Sequence, residues 1–115
     1  MIMTKRYGMV IGVKDGMLDE YKRLHVAVWP EVETRITACN LRNFTIYGHK
    51  LPDGHYYLFL TCEYTGDDYA ADMAKMAADP KTQEWWRLTG PCQEPLPNRA
   101  PDEWWARMEE LHHLD

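Results

Sequence analysis

Residues 19–39, DEYKRLHVAVWPEVETRITAC, place Tyr21, His25 and Trp29 at intervals of four and then reach a proline. Side chains four residues apart lie on the same face of a helix, so the Tyr21 phenol and the His25 imidazole are predicted to share one space. Pro30 cannot continue a helix without losing a backbone hydrogen bond, and it pushes Trp29 toward an extended conformation. We therefore predict one helix that ends near residues 25–28 and a second that starts at Pro30.

This break places His25 beside a helix end, where exposed carbonyl groups favour the protonated imidazole. A histidine of that kind can donate a proton, and the nearby tyrosine can hydrogen-bond to a ligand. The same spacing is also typical of a pair that only packs on an amphipathic helix. Glu31 lies in the first turn of the second helix, where a structural role beside the helix dipole is the better interpretation.

The rest of the chain predicts three long strands and two further helical segments. Residues 7–13 form a first strand that ends at a Lys-Asp-Gly turn, and residues 41–49 and 56–64 form a hairpin around Pro-Asp-Gly. Gly66-Asp67-Asp68 opens a helix, and Pro80 opens another that contains Trp85 and Trp86. Residues 89–101 hold four prolines and predict a loop. The first half of residues 102–115 favours a helix and residues 108–114 a terminal strand or arm, and we favour a tail that packs on another element or subunit.

Both faces of the predicted hairpin carry bulky side chains. Phe44 and Ile46 alternate with Asn43, Thr45 and Tyr47, and residues 57, 59 and 61 alternate with 58, 60 and 62. Such a sheet needs helices on one face and a different covering surface on the opposite face. A second copy of the sheet is the simplest candidate, which predicts a homodimer.

The composition of the chain limits the kinds of function that it can have. The chain has 115 residues, which suits a single domain over 1–115, and a formal charge of −5 from 13 basic and 18 acidic residues. This balance argues against a nucleic-acid or membrane partner, and no apolar run approaches the roughly 20 residues of a membrane span. With no signal-peptide pattern, we expect a cytoplasmic protein whose three spaced cysteines are reduced and packed. The spacing of the five histidines demands no metal site.

Adjacent tryptophans on a helix point about 100° apart, so one of Trp85 and Trp86 can anchor the helix while the other flanks a cavity. The alternative is that both only pack.

The segments EYKRLHVAVWPEV (20–32), NFTIY (43–47), WW (85–86) and MEELHHLD (108–115) together resemble the L-rhamnose mutarotase family, whose members interconvert the α and β anomers of a sugar without a cofactor. The resemblance implies an α+β, ferredoxin-like antiparallel sheet with helices on one face, of the dimeric α/β-barrel type. It implies that His25 is the proton donor and that Tyr21, Trp85 and Trp86 contact the sugar. Phe44 stands where well-known members have a sugar-contacting tyrosine, so one hydrogen bond to the sugar is missing here or supplied elsewhere.

Mutarotation needs only a general acid and a general base, and imidazole titrates close to neutral pH. The predicted substrate is L-rhamnose or a related deoxysugar. Two alternatives share this architecture: a monooxygenase that needs no cofactor, and a non-catalytic module that binds a small ligand.

Overall fold

The computed structural model describes residues 4–115 and contains three long strands, four helices and two short strands. In chain order these are β1 (Lys5–Val13), α1 (Leu18–Val26), α2 (Pro30–Ala38), β2 (Leu41–Lys50), β3 (Tyr56–Tyr64), α3 (Tyr69–Ala78), α4 (Pro80–Thr89), β4 (Gln93–Glu94) and β5 (Ala106–Met108). A single 3₁₀ turn, Gly90–Cys92, joins α4 to β4.

The strands form one antiparallel sheet in the order β2-β3-β1-β4, which is the ferredoxin-like order. The α+β, ferredoxin-like prediction is confirmed. The edge beyond β1 is divided, because β4 pairs with Gly12 and Val13 while β5 pairs with residues 8–10. Residues 95–105, here called the edge loop, leave the sheet after β4 and return to the same edge at β5.

The helices cover one face of the sheet, and the core lies between the helices and the sheet. On the strands, alternate residues such as Ile11, Val13, Leu58 and Leu60 are buried against the helices. One core cluster includes Tyr21, Val32, Trp85 and Cys92, and the other includes Cys62, Tyr64 and Met76.

The break between α1 and α2 follows the prediction closely. Helix α1 ends at Val26, and Pro30 is the first residue of α2. Trp29 precedes the proline with φ −62° and ψ 131°, which is the extended conformation that a following proline imposes. Its backbone carbonyl accepts from the amides of Val32 and Glu33.

The hairpin is confirmed, with one departure from strict alternation. Gly54 closes its turn at φ +86°, a value that glycine adopts without a steric penalty. The pairing passes from Arg42 opposite Glu63 to Thr45 opposite Thr61, so Asn43 and Phe44 together lie opposite the single residue Cys62. This is a β-bulge, and Asn43 takes φ +50° within it.

The C-terminal segment corrects one expectation. Residues 102–107 do not form the helix that their composition favours, because Ala106, Arg107 and Met108 pair with β1 as β5. Of the two alternatives for residues 108–114, the strand is limited to Met108, and residues 109–115 form an arm without regular structure. The arm is tied to β1 by an ion pair of 3.4 Å between Arg6 and Glu110.

The remaining sequence expectations concern the cysteines and the membrane. Cys39, Cys62 and Cys92 are buried free thiols, as predicted. Across residues 4–115, no helix has the length and apolar character required to cross a membrane.

Candidate active site

Tyr21 and His25 form the centre of the candidate site on the last two turns of α1. Their rings stack with centroids 4.1 Å apart and an angle of 26° between their planes, as the spacing of four predicts. The Nδ1 atom of His25 lies 2.8 Å from the carbonyl oxygen of Tyr21. A carbonyl oxygen can only accept, so Nδ1 must carry a hydrogen and donate. This assigns proton exchange to the other ring nitrogen, Nε2.

The Tyr21 phenol is held in its neutral form. Burial raises the pKa of Tyr21 to about 12, while hydrogen bonding with Gln93 acts in the opposite direction. Because only 4% of Tyr21 is exposed, burial dominates. Its hydroxyl group therefore keeps its proton at neutral pH and can act as a hydrogen-bond donor.

Trp85 of α4 closes one side of this pair. Its ring lies edge-on to His25, with centroids 5.4 Å apart, and edge-on to Trp29 at 5.3 Å. The Lys81 ammonium lies 5.8 Å from the Trp29 ring on the outer side. Trp29 thus packs against Trp85, which in turn packs against His25. Through Trp85, all three residues at intervals of four in the sequence, Tyr21, His25 and Trp29, belong to one aromatic cluster.

Trp86 points elsewhere, because it follows Trp85 directly on the helix. Trp85 is 6% exposed in the core, whereas Trp86 is 45% exposed and lines a cavity of about 850 Å³. The prediction that one tryptophan anchors α4 and the other flanks a cavity is confirmed. Four aromatic residues line this cavity: Tyr69, Trp86, Trp104 and Trp105.

Gln93 is a buried residue in the lining of this cavity. Its amide group is close enough to Tyr21 to lower the pKa of the phenol, against the larger effect of burial. Its side-chain oxygen accepts a hydrogen bond of 2.8 Å from the Trp104 indole. Neither Gln93 nor Trp104 was identified from the sequence, because their contact depends on the path of the edge loop, which leaves no periodic pattern.

Three charged side chains also contribute to the lining of the cavity: Asp102, Glu103 and Arg107. The Arg107 guanidinium stacks over the Tyr7 and Tyr69 rings at 4.6 and 5.4 Å. The lining therefore combines aromatic and other apolar side chains with a few polar groups, as is usual for sites that bind small molecules.

Phe44, the fifth residue predicted from the sequence, lies apart from this cluster. It occupies the bulge of β2 and is half-exposed. In residues 4–115, it belongs neither to the core cluster around Tyr21 and Trp85 nor to the lining of the cavity with Trp86. The structure thus brings Tyr21, His25 and Trp85 together, places Trp86 in the lining of the cavity with Gln93, and leaves Phe44 outside both groups.

Metal ligands do not cluster in the described part of the chain. No group of three or more His, Cys, Asp or Glu side chains within residues 4–115 is arranged to hold a metal ion. The candidate site itself contains an imidazole, a neutral phenol and aromatic walls.

Fold and site together define a class: a small ferredoxin-like α+β protein with a stacked tyrosine–histidine pair and an aromatic-lined cavity. The family model for L-rhamnose mutarotase matches residues 6–114, which is nearly the whole sequence. The chain belongs to the L-rhamnose mutarotase family, whose name denotes enzymes of the isomerase class.

Individual relatives agree with this assignment. An L-rhamnose mutarotase of Phocaeicola vulgatus is 27% identical over 112 residues, covering 96% of this chain and 99% of the relative. One of Opitutus terrae is 30% identical over 110 residues, covering 96% and 98%. The crystal structure of an L-rhamnose mutarotase from Formosa agariphila has a TM-score of 0.71 and 18% identity, and it covers 96% of this chain and 99% of that one. At that identity, the structural likeness supports the fold.

Proposed function

We propose that this chain is a sugar mutarotase in which His25 is the general acid. The observation that carries the proposal is the bond from His25 Nδ1 to the Tyr21 carbonyl, which leaves Nε2 as the exchanging nitrogen next to a neutral phenol. Membership of the L-rhamnose mutarotase family supplies the reaction, which is the interconversion of α and β anomers.

The reaction opens the cyclic hemiacetal and closes it again on the opposite face of the carbonyl carbon. The Nε2 proton of His25 passes to the ring oxygen as the bond from that oxygen to the anomeric carbon breaks. The anomeric hydroxyl loses its proton to water and becomes the aldehyde oxygen. Rotation of the aldehyde and reversal of the two proton transfers give the other anomer. Such positioned proton transfer typically contributes about 10² to 10⁴ in rate.

The proposed substrate is L-rhamnose or a related deoxysugar. Trp85 and Trp86 are the proposed aromatic contacts, and Tyr21 is the proposed donor to a sugar hydroxyl. The methyl group of a 6-deoxysugar suits a cavity whose walls are tryptophan and tyrosine rings. Phe44 offers the same ring area as a tyrosine without its hydroxyl group, and its contact with the sugar stays a prediction.

The test is exchange NMR of anomeric protons with catalytic protein and a panel of sugars that includes L-rhamnose and L-fucose. We expect faster exchange for at least one sugar. His25→Gln is expected to lose about 10² to 10⁴ of the acceleration while still binding the sugar, because a glutamine amide can form hydrogen bonds but cannot act as a general acid.

His112→Gln is the matched control, since His112 is an exposed histidine of the C-terminal arm. It should keep the wild-type rate. Full activity in His25→Gln would refute the role of His25. Oxygen consumption with an electron-rich aromatic substrate would favour the monooxygenase alternative, and sugar binding without exchange would favour the binding module.

A homodimer formed through the uncovered sheet face belongs to the same proposal. Tyr47 lies opposite Phe59 on that face, and Thr45 lies opposite Thr61. Bulky residues on a face without helices support a second copy as the cover. The expected cytoplasmic location stays a prediction.

A further inference from the structure

We infer that Arg107 is a specificity-determining residue whose guanidinium donates hydrogen bonds to two adjacent hydroxyl oxygens of a neutral sugar. The inference rests on the proposed function, in which the sugar contacts Trp86 in the wall of the cavity. It gives the chain a hydrogen-bond donor that Phe44, which has no hydroxyl group, cannot provide.

Strand β5 directs the Arg107 side chain into the cavity. Arg107 lies opposite Met9 of β1, and directly paired residues of an antiparallel ladder project from the same face of the sheet. Ile11, two residues beyond Met9, is fully buried in the core, so this is the face that the helices cover. Met9 and Arg107 accordingly line the cavity together with Tyr69 and Trp86.

Two tyrosine rings hold the guanidinium in place. Its Cζ atom lies 4.6 Å from the centre of the Tyr7 ring and 5.4 Å from the centre of the Tyr69 ring. The two rings stack with centroids 4.3 Å apart, and they join β1 to the first residue of α3. Attraction between a cation and aromatic rings restrains the arginine side chain. A guanidinium restrained in this way loses less conformational entropy when it binds a ligand.

The guanidinium of Arg107 keeps donors for a ligand. In the part of the chain that the structure describes, no carboxylate lies within 4.0 Å of it. It carries five N–H groups in one plane, and two of them can donate in parallel to two neighbouring oxygen atoms. Hydroxyl groups on adjacent carbons of a sugar ring present such a pair of oxygens. Arg107 is exposed, so a sugar that enters the cavity can reach it.

The charges of the lining favour a neutral sugar over an acidic one. Asp102 and Glu103 line the same cavity, so two negative side chains accompany the single positive charge of Arg107. One Glu103 oxygen is occupied within the edge loop, where it accepts from the backbone amides of Ala100 at 3.0 Å and Arg107 at 3.4 Å. A hydroxyl group can accept from arginine and donate to aspartate, whereas a carboxylate on the ligand would be repelled by both acidic side chains.

Arg107→Met and Arg107→Lys separate the guanidinium fork from its charge. Methionine keeps an unbranched side chain that can pack on the tyrosine rings, but it has no N–H donor. Lysine keeps the positive charge and replaces the fork with one ammonium group. We expect Arg107→Met to raise the KM for the sugar at least about tenfold, with little change in kcat. Arg107→Lys should resemble Arg107→Met, whereas a general effect of positive charge would leave its KM at the wild-type value.

Sugars that each lack one hydroxyl group identify the contact directly. Their Kd values are obtained by NMR titration of the tryptophan indole signals, which requires no turnover. For the wild type, removal of either contacted hydroxyl should weaken binding about tenfold, and the two sensitive positions should be neighbours on the ring. For Arg107→Met, the same two removals should change Kd less than about twofold, because the donor is already absent.

Arg87→Met is the matched control, since Arg87 is an exposed arginine of α4 that does not line this cavity. It should keep the wild-type KM and the wild-type sensitivity to each missing hydroxyl group. If Arg107→Met is unstable, the same series of sugars with Arg107→Lys decides the question, because a single ammonium group cannot reproduce the paired loss.

Three results would overturn the inference: wild-type affinity in Arg107→Met, an unchanged sensitivity of that variant to the missing hydroxyl groups, or tighter binding of an acidic sugar than of the neutral one. A wild type that binds a sugar through Arg107 but accelerates the anomer exchange of none would overturn the proposed function and support the role of Arg107. A wild type that binds no sugar would overturn both.

Discussion

Trp85 and Trp86 are chemically identical neighbours whose roles differ because they point about 100° apart around α4. Trp85 is buried between His25 and Trp29, so Trp85→Ala should leave a cavity in the core and cost about 3–5 kcal/mol of unfolding free energy. Trp86→Ala removes a half-exposed ring and should change stability by less than about 1 kcal/mol. It should raise the KM for the sugar about 2- to 10-fold through lost stacking. Urea unfolding and exchange kinetics of the two variants check this pair.

The two variants serve as controls for each other, because the same atoms are removed at adjacent positions. Equal losses of stability would contradict the separation of anchor and cavity wall. An unchanged KM in Trp86→Ala would remove Trp86 from the proposed sugar contacts.

At this scale, sequence reasoning succeeded where a short local rule decided the geometry. Tyr21 and His25 meet because helical spacing alone brings them together, and Trp85 and Trp86 separate for the same reason. Gln93 meets Trp104 across an eleven-residue sequence separation, through a loop rich in proline. No periodicity encodes that path, so the contact could not be predicted.

At the scale of elements, a buried network joins α3 to the sheet and to the end of α2. The Asp72 carboxylate accepts from the Tyr64 hydroxyl at 2.5 Å and from the Asn40 side chain at 2.9 Å. Asn40 takes φ +68° where the chain leaves α2, and the Tyr64 hydroxyl in turn accepts from the Asp68 amide at the start of α3. The network lowers the pKa of Asp72, chiefly through the bond from Tyr64.

Gly66 allows this network to form, because a Cβ atom there would lie 2.6 Å from Tyr64 Cζ and 2.8 Å from Asp72 Oδ2. Gly66→Ala should therefore displace the network and cost about 1–3 kcal/mol in unfolding free energy. Gly90→Ala is the matched control, since a Cβ atom there has no neighbour within 4 Å and the backbone is helical. Urea denaturation should separate the two variants, and wild-type stability in Gly66→Ala would show that the network can move at little cost.

The elements themselves were predictable to the extent that proline, glycine and acidic caps mark their ends. Pro30 and Pro80 begin helices as predicted, and Asp79 caps α4 by accepting from the Thr82 amide. The bulge at Asn43 and Phe44 escaped prediction, because one extra residue in a strand leaves the composition unchanged. Strand β5 escaped prediction because three residues acquire their strand conformation from pairing with β1 and not from their own preference.

At the scale of the whole molecule, the described chain has a larger radius of gyration than a compact domain of the same length. Its radius of gyration is 14.5 Å, against roughly 13 Å for a compact domain of about this size. The arm at residues 109–115 contributes to this, and its Leu111 and Leu114 are 85% and 82% exposed. Exposed leucines on an arm and an uncovered sheet face together are consistent with burial against a second copy.

Tyr47→Glu tests this arrangement, because Tyr47 is 62% exposed on the uncovered face opposite Phe59. If two sheets pack there, a carboxylate at this position must lose its hydration without a partner, and the dimer should dissociate. Light scattering should then give the mass of one 13.6 kDa chain, whereas the wild type should give twice that mass. Val26→Glu is the matched control, since Val26 is an exposed apolar residue on α1, away from the sheet, and the variant should stay dimeric. A monomeric wild type would refute the dimer, and a dimeric Tyr47→Glu would place the interface on another surface.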